Sequence, residues 1–279
     1  MAGGAGQGRN PEALKGKVLT LLFTMPSTRT RLSFSAAMAQ LGGSTVYIDQ
    51  QNSQLKRGET LADTARMISS YCNFIAVRTE EHGALLEIAA NSSIPVINAL
   101  TMQEHPTQAL TDMYTILKHK SPDGLRIALV GDIAQNTFNS LMLVAAKLGA
   151  EVRLIGPRGY KPNQECFSKA ARYGMVRVYD SVKEGMEGAD IVYTDTFVSM
   201  GDEREAERRR RLFAPYQVNK RVLAYAKPDA LVMHPLPAHR GEEITSDVLD
   251  GPRSIVWDQA RNKLVIAKAV LLFLAEKRQ

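Results

Sequence analysis

Sulfur chemistry is scarce in this chain. Its two cysteines, Cys72 and Cys166, lie far apart and fit no metal-ligand spacing. They read as reduced thiols, which excludes a disulfide framework and a structural zinc module. No apolar run approaches the ~18 residues of a membrane span, and the first residues lack the apolar core of a secretory signal. Both absences point to a soluble cytoplasmic protein that does not engage a membrane. Internal repeats are missing too. So is any basic stripe interleaved with aromatics, although the net charge is +6. The densest basic run, Arg208 to Arg211, follows Glu203, Glu205 and Glu207. Glu205–Arg209 and Glu207–Arg211 are i,i+4 pairs, so the run reads as a solvated helix face and no nucleic-acid partner is expected. The surplus charge suits anionic small substrates drawn to a local basic cleft.

What is present is a length of 279 residues, 44% of them hydrophobic, enough for two domains with full cores. Residues 1–10 are glycine-rich and read as disordered. Strand patterns follow at 18–23, 44–48, 74–78 and 95–98, with amphipathic segments at 60–70, 83–90 and 107–118. After the turn cluster Ser121-Pro122-Asp123-Gly124 the pattern restarts. Strands are expected at 126–130, 151–155, 176–179, 191–194, 230–233 and 254–257, and helices at 140–148, 164–173, 206–213, 220–225 and 264–277. Alternating β and α signals imply α/β architecture: two doubly wound domains, each a parallel sheet covered by helices. The expected domains are 1–120 and 121–262, with the closing helix, 263–279, packed back on the first. Ligands of such sheets bind beyond the carboxyl ends of the strands, so the active site is expected in the cleft between the domains.

The polar clusters fall at those ends. Pro26-Ser27-Thr28-Arg29-Thr30-Arg31 follows the first strand and opens a helix. Free backbone N–H groups, the helix dipole, three hydroxyls and two guanidiniums there match an anion, although a capping turn followed by solvated arginines fits the local pattern equally well. Arg78 closes the third strand, and His105-Pro106-Thr107-Gln108 opens another helix. In the second half, Asp195 to Gly201 is a polar loop carrying one carboxylate, and His234-Pro235-Leu236-Pro237 is a turn stiffened by two prolines. Each alone is weak. A strand-end arginine is usually solvated, and Met200 alone is more often a core residue than a contact.

Together, in this order, these motifs resemble the aspartate/ornithine carbamoyltransferase family, from about Leu14 onward. The resemblance implies that Ser27, Thr28, Arg29 and Thr30 bind the phosphate of carbamoyl phosphate, with Arg78 bridging phosphate and carbonyl. His105, Thr30 and Arg78 would polarise the carbamoyl oxygen. Gln108 and the Leu236 backbone, with Pro235 beside it, would orient the carbamoyl NH2. Gln54 would reach in from a neighbouring subunit of a homotrimer. Gln54, Pro235, Leu236 and Lys263 would complete the carbamoyl-phosphate-binding set; Lys263 stands where the family usually has arginine, Pro235 where the ornithine enzymes usually have cysteine, and Gln135 where they have asparagine. The Asp195 loop looks like the ornithine enzymes: Asp195 would pair with the substrate's α-ammonium, Asn136 would hold its carboxylate, and Ser199 and Met200 would line its chain. The implied reaction is carbamoyl transfer from carbamoyl phosphate to ornithine, in arginine metabolism, with neither metal nor cofactor. Putrescine, another diamino acid or aspartate are the alternative acceptors. A catalytically inactive binding homologue is the alternative outside the enzyme class.

Overall fold

The computed structural model describes residues 12–199 and 203–277. The glycine-rich start and Met200 lie outside the described residues. The chain forms two compact units, one comprising the residues up to Thr101 and from Leu264 onward, the other Met102–Lys263.

The first unit alternates β1 (Val18–Phe23), α1 (Arg29–Gln40), β2 (Ser44–Asp49), α2 (Leu61–Tyr71), β3 (Phe74–Arg78), α3 (His82–Ala90) and β4 (Val96–Leu100). Its sheet has the order β2-β1-β3-β4 with every pair parallel. The period of two along β1 divides the core. Leu19, Leu21 and Phe23 pack with Phe34 and Met38 of α1, while Leu22 joins Ile75 and Val77 against Ala65 and Ile68 of α2. Apolar cover on both faces is why the strands read as nearly unbroken hydrophobic runs.

The second unit contains α4 (Pro106–His119), β5 (Arg126–Val130), α5 (Asn136–Lys147), β6 (Glu151–Ile155), α6 (Gln164–Ala171), β7 (Val176–Tyr179), α7 (Val182–Met186) and β8 (Ile191–Thr194). It continues with α8 (Ala206–Phe213), α9 (Lys220–Leu223), β9 (Leu231–Met233), α10 (Ser246–Leu249) and the start of α11 (Val256–Glu276). The sheet order is β7-β6-β5-β8-β9, again all parallel. Ala109, Met113 and Ile116 of α4 pack with Ile127 and Leu129 of β5. That apolar stripe places α4 in the second compact unit. Past Lys263, α11 continues into the first unit, where Ala267 and Leu271 join the core beside α1.

One expected strand is absent, and two helices start earlier than expected, α5 at residue 136 rather than 140 and α11 at 256 rather than 264. Residues 254–257 are not a strand: Ser254 makes one isolated bridge to Val232, and Val256 opens α11. The β-branched and aromatic residues there suggested extension, but Asp258 in the first turn complements the helix dipole, and the Gln259 N–H already bonds the Ile255 carbonyl at 2.9 Å. The short helices α7 and α10 were not legible, because five and four residues are too few to show a helical period.

Candidate functional site

In the first unit the sheet order reverses between β1 and β3, the switch point where such sheets bind ligands. Phe23, the last residue of β1, lies in register with Arg78, the last of β3. The Thr24 N–H donates to the Arg78 carbonyl at 2.9 Å. The chain then turns into α1. Thr28 precedes that helix with helical backbone angles, and its hydroxyl makes no capping hydrogen bond. The predicted alternative of a Ser/Thr cap is therefore not what Thr28 does. The first-turn N–H groups have no intrahelical acceptor and point out of the helix N-terminus. Ser27 is half-buried and Thr30 is 3% exposed.

The electrostatics of this cluster are one-sided. Arg78 is buried, and its Nε makes no hydrogen bond among the described residues. Burial brings its pKa down to about 10, and the nearby Arg29 charge pushes the same way, with Tyr47 opposing. Two guanidiniums at a helix N-terminus strongly favour an anion. Arg31 does something else: it stacks on the Tyr47 ring, 3.8 Å from its centre, and that ring meets Phe23 edge-on. Gln54 is exposed and opens a short 3-10 turn, Gln54–Arg57, after β2.

In the second unit, His105 is the residue before α4 and is 5% exposed. Its N–H donates to Ser140 Oγ at 2.8 Å, and its Nδ1 lies 3.4 Å from Thr107 Oγ1. Pro106 at the first helical position suits an N-terminus that needs no N–H there. One turn in, Gln108 accepts on Oε1 from Lys263 Nζ at 2.5 Å and donates from Nε2 to Asp112 at 2.7 Å. The structure thus brings Gln108 and Lys263 together.

The turn at residues 234–237 is held from behind. His234 is fully buried; its Nδ1 accepts the Leu236 N–H at 2.9 Å, so Nε2 carries the proton and donates to Glu243 at 3.0 Å. Leu236 sits at φ +60, unusual for a residue with a side chain. Pro235 and Leu236 are both half-buried.

The second sheet reverses between β5 and β8; the loop after β8 carries Asp195 and Ser199, and Asn136 opens α5 after the β5 loop. Asp195 accepts from Thr137 Oγ1 and from the Thr196 N–H, both at 2.7 Å. Burial raises its pKa, chiefly by desolvation, with the His234 neighbour opposing. A cationic amine beside it would reverse that shift. Ser199 exchanges hydrogen bonds with the Gln135 side chain at 2.8 and 3.1 Å, and Gln135 also donates to the Thr196 carbonyl. Gln135 thus braces the Asp195 loop rather than standing idle where the family has asparagine.

Arg209 corrects the sequence reading. It was expected on a solvated face opposite Glu205, yet it is 6% exposed and ion-pairs with Asp132 after β5. Its Nε donates to the Phe197 carbonyl at 2.8 Å and its Nη1 to Tyr160 Oη at 3.1 Å. Its expected partner Glu205 instead faces Arg208. The other expected pair, Glu207–Arg211, is present and exposed. The i,i+4 rule sees only one helix, so a buried carboxylate from another strand outcompetes it unannounced. Asp112 and Gln259 are likewise absent from the sequence reading, although Asp112 stands one helical turn from Gln108 and could have been paired with it.

Among the described residues, His239, Glu242 and Glu243 bring three possible metal-ligand atoms within 4.8 Å of one another. Glu242 is ion-paired with Arg210 and Glu243 is bonded to His234, so both carboxylates already have partners.

Two family models match nearly the whole chain. The aspartate/ornithine carbamoyltransferase carbamoyl-P binding domain matches residues 2–118, and the Asp/Orn binding domain matches 123–274. The chain belongs to the aspartate/ornithine carbamoyltransferase family. Among its relatives, the ornithine carbamoyltransferase of Pyrococcus abyssi is 47% identical over 96% of this chain and 86% of its own. That of Bacillus subtilis is 44% identical over 97% of this chain and 86% of its own. The solved ornithine carbamoyltransferase of Pyrococcus furiosus superposes with a TM-score of 0.89 at 46% identity, covering 94% of this chain and 85% of that one.

Proposed function

We propose that this chain is an ornithine carbamoyltransferase: it transfers the carbamoyl group of carbamoyl phosphate to the side-chain amine of ornithine, giving citrulline and phosphate. The observation that carries the reading is the register of Phe23 with Arg78 at the switch point of the first sheet, beside the N-terminus of α1 and Arg29. That is a phosphate site by its chemistry. The 44–51% identity to ornithine enzymes supports the acceptor.

On this reading the functional division lies near residue 120, with 1–120 and the closing helix 263–279 serving carbamoyl phosphate and 121–262 serving ornithine. Ser27, Thr28, Arg29 and Thr30 hold the phosphate. Arg78, His105 and Thr30 donate to the carbamoyl oxygen. The neutral amine attacks the carbamoyl carbon, negative charge collects on that oxygen, and preorganised donors stabilise it. The C–O bond to phosphate then breaks, and the leaving phosphate can take the amine's proton. Gln108 and the Leu236 carbonyl accept from the carbamoyl NH2, which aims the carbon at the amine. Lys263, which also donates to Gln108, and Pro235 belong to the same carbamoyl-phosphate-binding set. Asp195 pairs with the α-ammonium, Asn136 with the α-carboxylate, and Ser199 and Met200 line the chain of the substrate. A cytoplasmic homotrimer completes the proposal, with Gln54 reaching the phosphate loop of a neighbouring copy. No helix among the described residues is long and apolar enough to cross a membrane.

The test is phosphate release with carbamoyl phosphate and a panel of amines. Ornithine should be the best acceptor, and Asp195→Asn should raise its KM while leaving carbamoyl-phosphate affinity nearly intact. Faster turnover of putrescine or aspartate than of ornithine would overturn the assignment.

A further inference from the structure

The groups assigned to the carbamoyl NH2 have a common root in the second unit. Asp112 is fully buried on α4, one turn beyond Gln108. Its Oδ1 accepts from Gln108 Nε2 and from Gln259 Nε2, each at 2.7 Å, and its Oδ2 accepts from Tyr193 Oη at 2.9 Å. Three donors therefore converge on one carboxylate. With Nε2 on Asp112 and Oε1 on Lys263, the Gln108 amide has one permitted orientation. A flip would set its oxygen against a carboxylate and its NH2 against an ammonium.

Gln259 is locked the same way. Its Nε2 is on Asp112, so its Oε1 is free to accept the His234 N–H, at 3.0 Å. His234 in turn accepts the Leu236 N–H on Nδ1. A continuous path thus runs from Asp112 through Gln259 and His234 to the Leu236 backbone, where φ is +60.

We propose that Asp112 is a positioning residue for the transfer: it sets the Gln108 amide directly and the Leu236 turn through Gln259 and His234. It touches no substrate itself. The proposal rests on the reading that Gln108 and Leu236 orient the carbamoyl group. Its chemistry is specific. An acceptor-only side chain is required at the point where both amides donate, because only that fixes which end of each amide faces outward. A buried carboxylate serving stability alone would need no such alignment.

Steady-state kinetics on Asp112→Asn and Asp112→Ala, each alone and combined with Gln108→Ala, test it beside thermal melts. Asp112→Ala should lower kcat by about 10–100-fold, the cost of a misaimed reacting group, with far less change in KM for ornithine. Asp112→Asn keeps one oxygen for both amides and can donate to Tyr193, so it should recover part of that loss. Adding Gln108→Ala to Asp112→Ala should cost less than about threefold more, since residues acting as one unit are not additive. Multiplied losses would overturn the proposal, as would wild-type kcat in Asp112→Ala. If Asp112→Ala does not fold, the cycle runs on Asp112→Asn with the same criterion. The two readings fail differently. Full activity in Gln108→Ala alone removes the carbamoyl assignment and the proposal with it. A crippled Gln108→Ala beside a fully active Asp112 variant removes only the role of Asp112.

Discussion

Arg209→Met is the sharpest test of how the acceptor loop is held. The side chain is 6% exposed, its ion pair with Asp132 is buried on both sides, and it also donates to the Phe197 carbonyl and Tyr160 Oη. Methionine fills much of the same volume but removes the guanidinium paired with Asp132, while the Ala134 N–H and Gln135 still donate to that buried carboxylate. Breaking one side of a buried pair costs about 3–5 kcal/mol. At roughly 2–4 °C per kcal/mol for a unit of this size, the melting temperature should fall by about 6–20 °C. The same helix supplies a control. Arg211 pairs with Glu207 in solvent, with both side chains more than three-quarters exposed. Arg211→Met should therefore cost no more than about 1 kcal/mol. Thermal and urea unfolding of both variants gives the comparison. Asp132→Leu in the Arg209→Met background should recover much of the loss, because the stranded charge goes with it. KM for ornithine should also rise, since the Phe197 carbonyl lies in the loop that carries Asp195 and Ser199. An Arg209→Met protein that melts like Arg211→Met would refute the argument that the pair is structural.

Two further outcomes follow from the charged groups. Arg29→Ala should weaken carbamoyl-phosphate binding by calorimetry, at roughly 1.5–3 kcal/mol per charged hydrogen bond lost, with little change in folding; co-refolding it with inactive Gln54→Glu should restore some activity if sites are shared between copies. Burial pushes the Asp112 carboxyl up to about 6, so between the unfolded value and that pH the native state holds the extra proton and stability falls as pH rises. Asp112→Asn, which cannot titrate there, should therefore gain stability relative to wild type as pH rises from 4 to 8 in urea titrations.

Much of the fold is local in its causes, and those parts were readable. Strands β1, β3, β5, β6, β7 and β8 have the bounds expected from their local pattern. The parallel arrangement follows from helices alternating with strands. What could not be read is any interaction whose partners are distant in sequence. Asp112 and Gln259 are 147 residues apart, and Arg209 and Asp132 are 77 apart. A helix-face rule offers Arg209 a neighbour four residues away and says nothing about a strand end. The motif at residues 27–31 stands out in the sequence because hydroxyls, arginines and a helix N-terminus fall in one short stretch; its role as a phosphate site is the proposal above. The groups that aim the site motifs are dispersed, and single buried polar residues carry no pattern of their own.

That distinction bears on two positions where the resemblance expects other residues. Gln135 sits where the family has asparagine, and its extra methylene lets one amide reach the Thr196 carbonyl and Ser199 together, at 3.1 and 2.8 Å. The change therefore falls on loop support. Lys263 stands where the resemblance expects arginine, and its ammonium donates to Gln108 Oε1. A lysine ammonium makes that contact as a point charge, without the planar fork of arginine. Lys263 is also 8% exposed, so the contact is made away from solvent, where a single charged hydrogen bond carries most weight. Both substitutions thus bear on contacts that support groups assigned to substrate. At such contacts a change of length or donor number is tolerated as long as the supported amide or loop ends in the same orientation.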